Sequence, residues 1–155
     1  MSMNQLEEIV REYYEYIGYF VKTNIKFGKR VTGGYSGEVD VIAYKPNEEK
    51  LVYIECSQAA LSDKALGNEA QKKFPNYINY KNEFKLEIKE SYKIFIVGQS
   101  AISKQALMPE GVEHKPIKQF MKEVYDSITE DFMHQAVPEV YPLLRTIQLV
   151  KWGNK

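Results

Sequence analysis

Gly37-Glu38-Val39-Asp40-Val41-Ile42-Ala43-Tyr44, a charged break, and then Leu51-Val52-Tyr53-Ile54-Glu55-Cys56-Ser57 decide how this chain is read. Each half is rich in β-branched and aromatic residues and has the length of a buried strand. Lys45-Pro46-Asn47-Glu48-Glu49-Lys50 between them supplies the Pro, the Asn and the charge of a solvated hairpin turn. Two acids do not belong in such a hairpin. Asp40 stands inside the apolar run Val39–Ala43, and Glu55 directly follows Tyr53-Ile54. Buried carboxylates are costly unless paired or bound to a cation, so two on adjacent strands point to a shared metal. Antiparallel pairing across the turn can bring both to one face, giving an all-oxygen site suited to magnesium or manganese.

Working outward, the N-terminal stretch carries Leu6, Ile9, Val10, Tyr13, Tyr14, Ile17, Phe20 and Val21 at helical spacing. It predicts a helix from about Gln5 to Val21 or Lys22, capped by Asn4 or Ser2. Glu7 falls on the edge of the apolar stripe, either looking into a site or serving as a solvated acid near the helix N-terminus. Glu8, Glu12 and Glu15 fall outside the stripe and are expected in solvent. Asn24 to Val31 alternates well enough for an edge strand with Lys and Arg on it. The Gly-rich link Thr32–Gly37 has neither a P-loop lysine nor a dinucleotide fingerprint, so it is read as a turn.

Beyond the hairpin, Ser62-Asp63 caps an expected helix from about Lys64 to Phe74, with Pro75 kinking it or opening a further segment through Tyr80. Tyr92–Gly98 is a further buried strand, expected parallel to Leu51–Ser57 through the helical crossover. A short helix near Ser103–Met108 and a short strand at Val112–His114 follow. Two more helices are expected, from Pro116 to about Phe132 and from about Glu139 to Val150. His114 and His134 lack ligand spacing and are read as surface or structural histidines.

With 155 residues, 44% hydrophobic and 27% charged, the chain has the composition of one globular domain with a sizeable core. The expected division is a core over about 4–98 and a helical part over about 99–155. The formal net charge is zero, which argues against a non-specific nucleic-acid coat but allows a local basic patch. Lys22, Lys26, Lys29 and Arg30 form one candidate strip, and Lys72 and Lys73 another. The single cysteine, Cys56, excludes an internal disulfide and a cysteine zinc cluster. By alternation it points away from Glu55, as a core thiol. No stretch has the length or apolarity of a membrane span or a signal peptide, and a cytoplasmic protein is expected.

Gly37-Glu38-Val39-Asp40, the hairpin and Ile54-Glu55-Cys56-Ser57 resemble the core of the PD-(D/E)xK nuclease superfamily, the restriction-endonuclease-like fold. The resemblance covers the first half of the chain, in the order αβββαβ. The wording is also similar to a small uncharacterised group within it that has glutamate-any-serine in the third strand. That group has pieces like Lys72-Lys73-Phe74 and Pro142-Leu143-Leu144-Arg145-Thr146. The implied fold is α/β, with a central mixed sheet of four or five strands flanked by helices.

The implied activity is divalent-cation-dependent hydrolysis of DNA phosphodiester bonds, of restriction or repair type. Asp40, Glu55 and the carbonyl of Cys56 would hold Mg2+ or Mn2+, which polarises the phosphate and lowers the pKa of an attacking water. The family's lysine would orient that water and balance charge, yet Ser57 stands in its place. Serine can hydrogen-bond a water but brings no positive charge. Either a lysine migrates in from the next helix, or the protein is a catalytically inactive nuclease-like module that binds nucleic acid or protein. RecB-like members carry Gln-x-x-x-Tyr on that helix, and Lys73-Phe74-Pro75-Asn76-Tyr77 has the same spacing. Lys73 is thus the first candidate, with Lys72 and Lys64 behind it; the alternative is that these are solvated helix lysines. Glu38 is expected to face away from the metal or to touch it through water, and Gln58 either orients a water or serves a turn. A nuclease that cuts both strands has use for a homodimer, though no residue marks an interface.

Overall fold

The structure is a computed structural model that describes residues 4–75, 85–98 and 104–154. Helix α1, Gln5–Tyr16, begins where Asn4 takes extended backbone and its side-chain oxygen accepts the Glu7 N–H at 2.8 Å. The helix stops a turn and a half short of the Val21 that its stripe suggested. Gly18 adopts φ +102°, and Tyr19 N–H turns back to donate to the Tyr14 carbonyl. Phe20 and Val21 then open strand β1, Phe20–Lys29, opposite Tyr44 and Ala43 of strand β2, Tyr35–Lys45. The apolar run Ile17–Val21 fits both periods, and pairing with β2 decides between them.

A single 3-10 turn at Pro46–Glu48 joins β2 to strand β3, Lys50–Ser57, antiparallel as expected, with Val41 opposite Ile54 and Ala43 opposite Val52. Ser62 caps helix α2, Asp63–Lys73, by accepting the Ala65 N–H. The helix leads to strand β4, Glu90–Val97, parallel to β3, with Glu55 opposite Phe95. The segment expected to continue from Pro75 through Tyr80 lies outside the described residues past Pro75, and so does Tyr77 of the helix motif.

Strand β5, Val112–Lys115, pairs in parallel with β4 and completes a five-stranded mixed sheet in the order β1-β2-β3-β4-β5. β1 is an edge strand, as its Lys and Arg suggested. The expected helix near Ser103–Met108 is only a 3-10 turn, Gln105–Leu107, with Ser103 outside the described residues. Helix α3 runs Ile117–Ser127 and ends before Ile128, which is extended and buried. Helix α4 runs Pro142–Gly153, three residues later than its expected range at each end, because Pro142 opens it.

Each sheet face carries its own core. Val41, Ala43, Val52, Ile54, Cys56, Ile94 and Ile96 pack with residues of α1, α3 and α4, including Leu6, Val10, Phe120, Val124 and Leu144. Ile42, Leu51, Tyr53, Phe95 and Val97 pack on Leu66, Ala70 and Phe74 at α2. The alternation along β3 thus assigns Cys56 to one layer and Tyr53 to the other. Glu12, expected in solvent, is buried instead. Its carboxylate accepts the N–H groups of Leu143 and Leu144 at 3.0 and 3.1 Å, filling the N-terminal donors that α4 has no side-chain cap for. Among the described residues, no helix is long and apolar enough to cross a membrane.

Candidate active site

The β2–β3 ladder ends at Val41 and Ile54, so Asp40 and Glu55 are the first residues past the point where the strands part. Asn24 of β1, in the left-handed region at φ +51°, lies across from Asp40, where the β1–β2 register steps from Thr23–Val41 to Ile25–Val39. The parting strands leave a cleft of about 310 Å³ lined by Asn4, Glu7, Asn24, Glu38, Asp40, Glu55 and Lys73. Glu7 reaches it from the α1 layer and Lys73 from the α2 layer.

Cys56 N–H donates to Asp40 Oδ2 at 2.8 Å, so a backbone donor that β2 no longer satisfies fixes the carboxylate instead. Glu55 is 1% exposed, and its Oε1 accepts the Tyr53 hydroxyl at 3.1 Å. The Lys73 ammonium stands 3.7 Å from Glu55 Oε2 and 3.9 Å from Asp40 Oδ2. Lys73 therefore faces the two acids, while Lys72 and Lys64 are exposed. Lys72 lines an adjoining cleft with Ser36, Gly37, Glu38, Glu69 and Lys73.

Burial, followed by the charge of Asp40 and a hydrogen bond shared with it, pushes the Glu55 carboxyl up to about 9. Burial also works against the Lys73 ammonium, but Glu55 and Asp40 outweigh it and raise its pKa above the ordinary lysine value. Glu7 is raised by burial and then by Asp40, while Asn4 steadies it by donating from Nδ2 to Glu7 Oε1 at 3.0 Å. The Cys56 thiol, buried on the opposite face, is pushed far from ionisation, as a core thiol should be.

The donor set fits a hard divalent cation. Two carboxylates crowd one buried place at the expense of ionising Glu55, and a cation there would relieve that repulsion. N–H and C=O of one strand residue point to the same side, so the Cys56 carbonyl looks toward Asp40 as its N–H does. Among the described residues no three His, Cys, Asp or Glu side chains converge in the manner of a metal cage. Magnesium, which keeps several waters and uses one or two carboxylates, does not need one.

Ser57 is half-buried, and its hydroxyl accepts the Ala59 N–H at 3.3 Å, turning the chain after β3 rather than entering the cleft. Gln58 is exposed and does not line the cleft. Glu38, expected either to face away or to touch the metal through water, lines both clefts. His114 is structural, its Nδ1 accepting the Lys104 N–H at 2.8 Å, and His134 is exposed beside Asp131. Tyr53, Asn4 and Asn24 were not singled out from the sequence as parts of the site. Tyr53 was within reach, because alternation sets its hydroxyl on the same face as Glu55.

No protein-family model and no curated protein sequence matches the chain. Among solved structures, the small subunit of the heterodimeric restriction endonuclease R.BspD6I is similar at TM-score 0.52 and 20% identity, over 97% of this chain and 89% of that one. AF1548, a protein of unknown function, is similar at TM-score 0.49 and 14% identity, over 92% of this chain and 77% of that one.

Proposed function

We propose that this chain, whose fold is restriction-endonuclease-like, is a divalent-cation-dependent endonuclease acting on DNA. The observation that carries the reading is the meeting of Asp40, Glu55 and Lys73 where β2 and β3 part. A buried carboxyl, Glu55, and a half-buried one, Asp40, in apolar strands are a cost that a well-packed apolar pair would avoid, which favours retention for a ligand. Mg2+ or Mn2+, held by Asp40, Glu55 and the Cys56 carbonyl, would supply Lewis-acid polarisation of the scissile phosphate and a more acidic attacking water.

The chain's own residues do the rest. Asp40, fixed by Cys56 N–H, and Glu55, fixed by the Tyr53 hydroxyl, offer their oxygens without reorganising. Lys73 remains an ammonium, suited to stabilising charge on a phosphate oxygen and unsuited to general-base work. It thereby takes the part of the lysine that Ser57 displaces. Glu7, buried in the cleft wall with its pKa raised by burial and by Asp40, is the carboxyl in the cleft suited to receiving the proton of the attacking water. The likeness to a subunit of a two-subunit enzyme supports work with a second protomer, of this chain or another, when both strands are cut.

The turn role of Ser57 favours a second reading, a catalytically silent relative that uses the same cleft for binding. Supercoiled plasmid incubated with Mn2+ or Mg2+ separates the two. The nuclease reading expects nicked or linear product from the parent and none from Asp40→Ala or Glu55→Ala. A parent that binds Mn2+ in calorimetry, binds DNA and leaves the plasmid intact would establish the silent reading.

A further inference from the structure

We infer that the β1–β2 ribbon is a groove-entering arm that binds duplex DNA, with its tip in the major groove about half a turn from the candidate site. This rests on the nuclease reading above and extends it to the form of the substrate. From Phe20 to Gly37 the chain carries Lys22, Lys26, Lys29 and Arg30 and not one acid, although the whole chain is neutral. All four cations are exposed.

The ribbon is anchored at its base and slender at its tip. β2 leaves β3 after Val41, and from there only β1 accompanies it out to the Lys29–Tyr35 pair. Ile25, Phe27 and Val39 bury the inner face against the α2 layer, which holds the arm in place. The tip is closed by Arg30 N–H donating to the Gly34 carbonyl and Gly33 N–H to the Arg30 carbonyl. Gly33 and Gly34 take φ of +100° and +74°, a left-handed backbone that glycine adopts without strain, which sets the tight turn. Val31, at the apex, is fully exposed.

The face of the ribbon that carries Lys26 opens toward the site. Lys26 sits directly across from Glu38, so both lie on one face of the ribbon, and Glu38 lines the carboxylate cleft. From Asp40 to Tyr35 is five residues of strand, roughly 17 Å at ~3.4 Å each. Phosphates of one DNA strand repeat at ~3.4 Å and a helical turn takes ~34 Å, so tip and site address positions about half a turn apart.

The shape selects B-form duplex. A major groove about 12 Å wide admits a two-stranded ribbon, whereas the A-form major groove is too narrow for side chains to read. Single-strand binding relies on successive aromatic platforms, and near the tip Tyr35, beneath Lys26 at 6.0 Å, is exposed while Phe27 is buried.

Fluorescence anisotropy with Ca2+, between about 50 and 200 mM salt, tests the arm on duplex DNA, its single strand and duplex RNA of the same sequence. The parent should favour duplex DNA. The combined variant Lys26→Ala, Lys29→Ala, Arg30→Ala should bind it at least about tenfold more weakly at low salt, with a salt slope shallower by about 2.7 for three lost phosphate contacts. Lys118→Ala with Lys122→Ala, exposed cations on α3, should change neither. Mn2+ should still raise the melting temperature of the combined variant, showing that its fold and cleft are intact. An unchanged slope and affinity in that variant, or equal binding of single strand or duplex RNA by the parent, overturns the arm while leaving the nuclease reading standing. A parent without Mn2+ response or cleavage that still loses duplex binding on the triple substitution sinks the nuclease reading alone.

Discussion

Glu55→Gln should make the metal-free protein more stable at neutral and alkaline pH and should remove its response to Mn2+. Burial and Asp40 push the Glu55 carboxyl up to about 9 in the folded chain, against an ordinary 4.5. A carboxyl with a raised folded pKa stabilises the fold below its unfolded pKa, and that contribution is lost as pH rises through the folded value. Between about 4.5 and 9 the unfolded chain gives up the proton and the folded chain keeps it. The loss runs at up to ~1.4 kcal/mol per pH unit, about 3 kcal/mol by pH 7, with water penetration reducing it. Glutamine keeps an oxygen for the Tyr53 hydroxyl and has no proton to lose. The difference between variant and parent cancels the titration of groups remote from the cleft, leaving Glu55 with the Asp40 and Lys73 that feel its charge. In urea denaturation with chelator, the variant should gain on the parent steadily from pH 5 to pH 9. With Mn2+ at ~100 times Kd the parent should recover about 2.7 kcal/mol and the variant little. A variant less stable than the parent at pH 9 without metal, or equal Mn2+ stabilisation of both, would refute the reasoning.

Lys73→Ala should lower the cleavage rate by about two orders of magnitude or more, while calorimetry finds Mn2+ affinity kept or increased, since a cation facing both carboxylates has gone. Lys64→Ala and Lys72→Ala, measured alongside, should be mild. Glu12→Ala should cost about 2–4 kcal/mol in chemical denaturation, because a buried and a part-buried N–H group of α4 lose a charged acceptor, and Glu12→Gln should recover part of it. Gln148→Ala should cost about 3 kcal/mol or more by the same measurement, since its amide serves Val137 N–H and the carbonyls of Thr129 and Gln135 in a fully buried place.

The sheet and the two acids were legible for one physical reason: an acid inside an apolar strand is conspicuous, and hairpin pairing leaves few places for it to go. The parallel β4 followed from the helical crossover, and the edge position of β1 from its cations. Lys73 was legible only in part. Its helix could be expected, but the phase that turns Lys73 inward and Lys72 outward depends on Leu66, Ala70 and Phe74 seating against the sheet. The end of α1 was hidden because Ile17–Val21 satisfies helix and strand periods alike, and the partner strand made the choice. Glu12 was hidden for a different reason. Its partners lie 131 and 132 residues away, and no local pattern marks an acid that caps another helix.

The central claim is that Lys73 supplies, from α2, the charge that the strand position occupied by Ser57 lacks. Glu55 and Ser57 share a face of β3, so a lysine at position 57 can address the same cleft. The measurement is plasmid cleavage with Mn2+ by the parent, by Lys73→Ala, and by Lys73→Ala combined with Ser57→Lys, each checked for an intact Mn2+ melting shift. The parent should cut, the single variant should lose nearly all cutting, and the double should regain part of it. A Lys73→Ala protein that binds Mn2+ and cuts as fast as the parent would contradict the central claim.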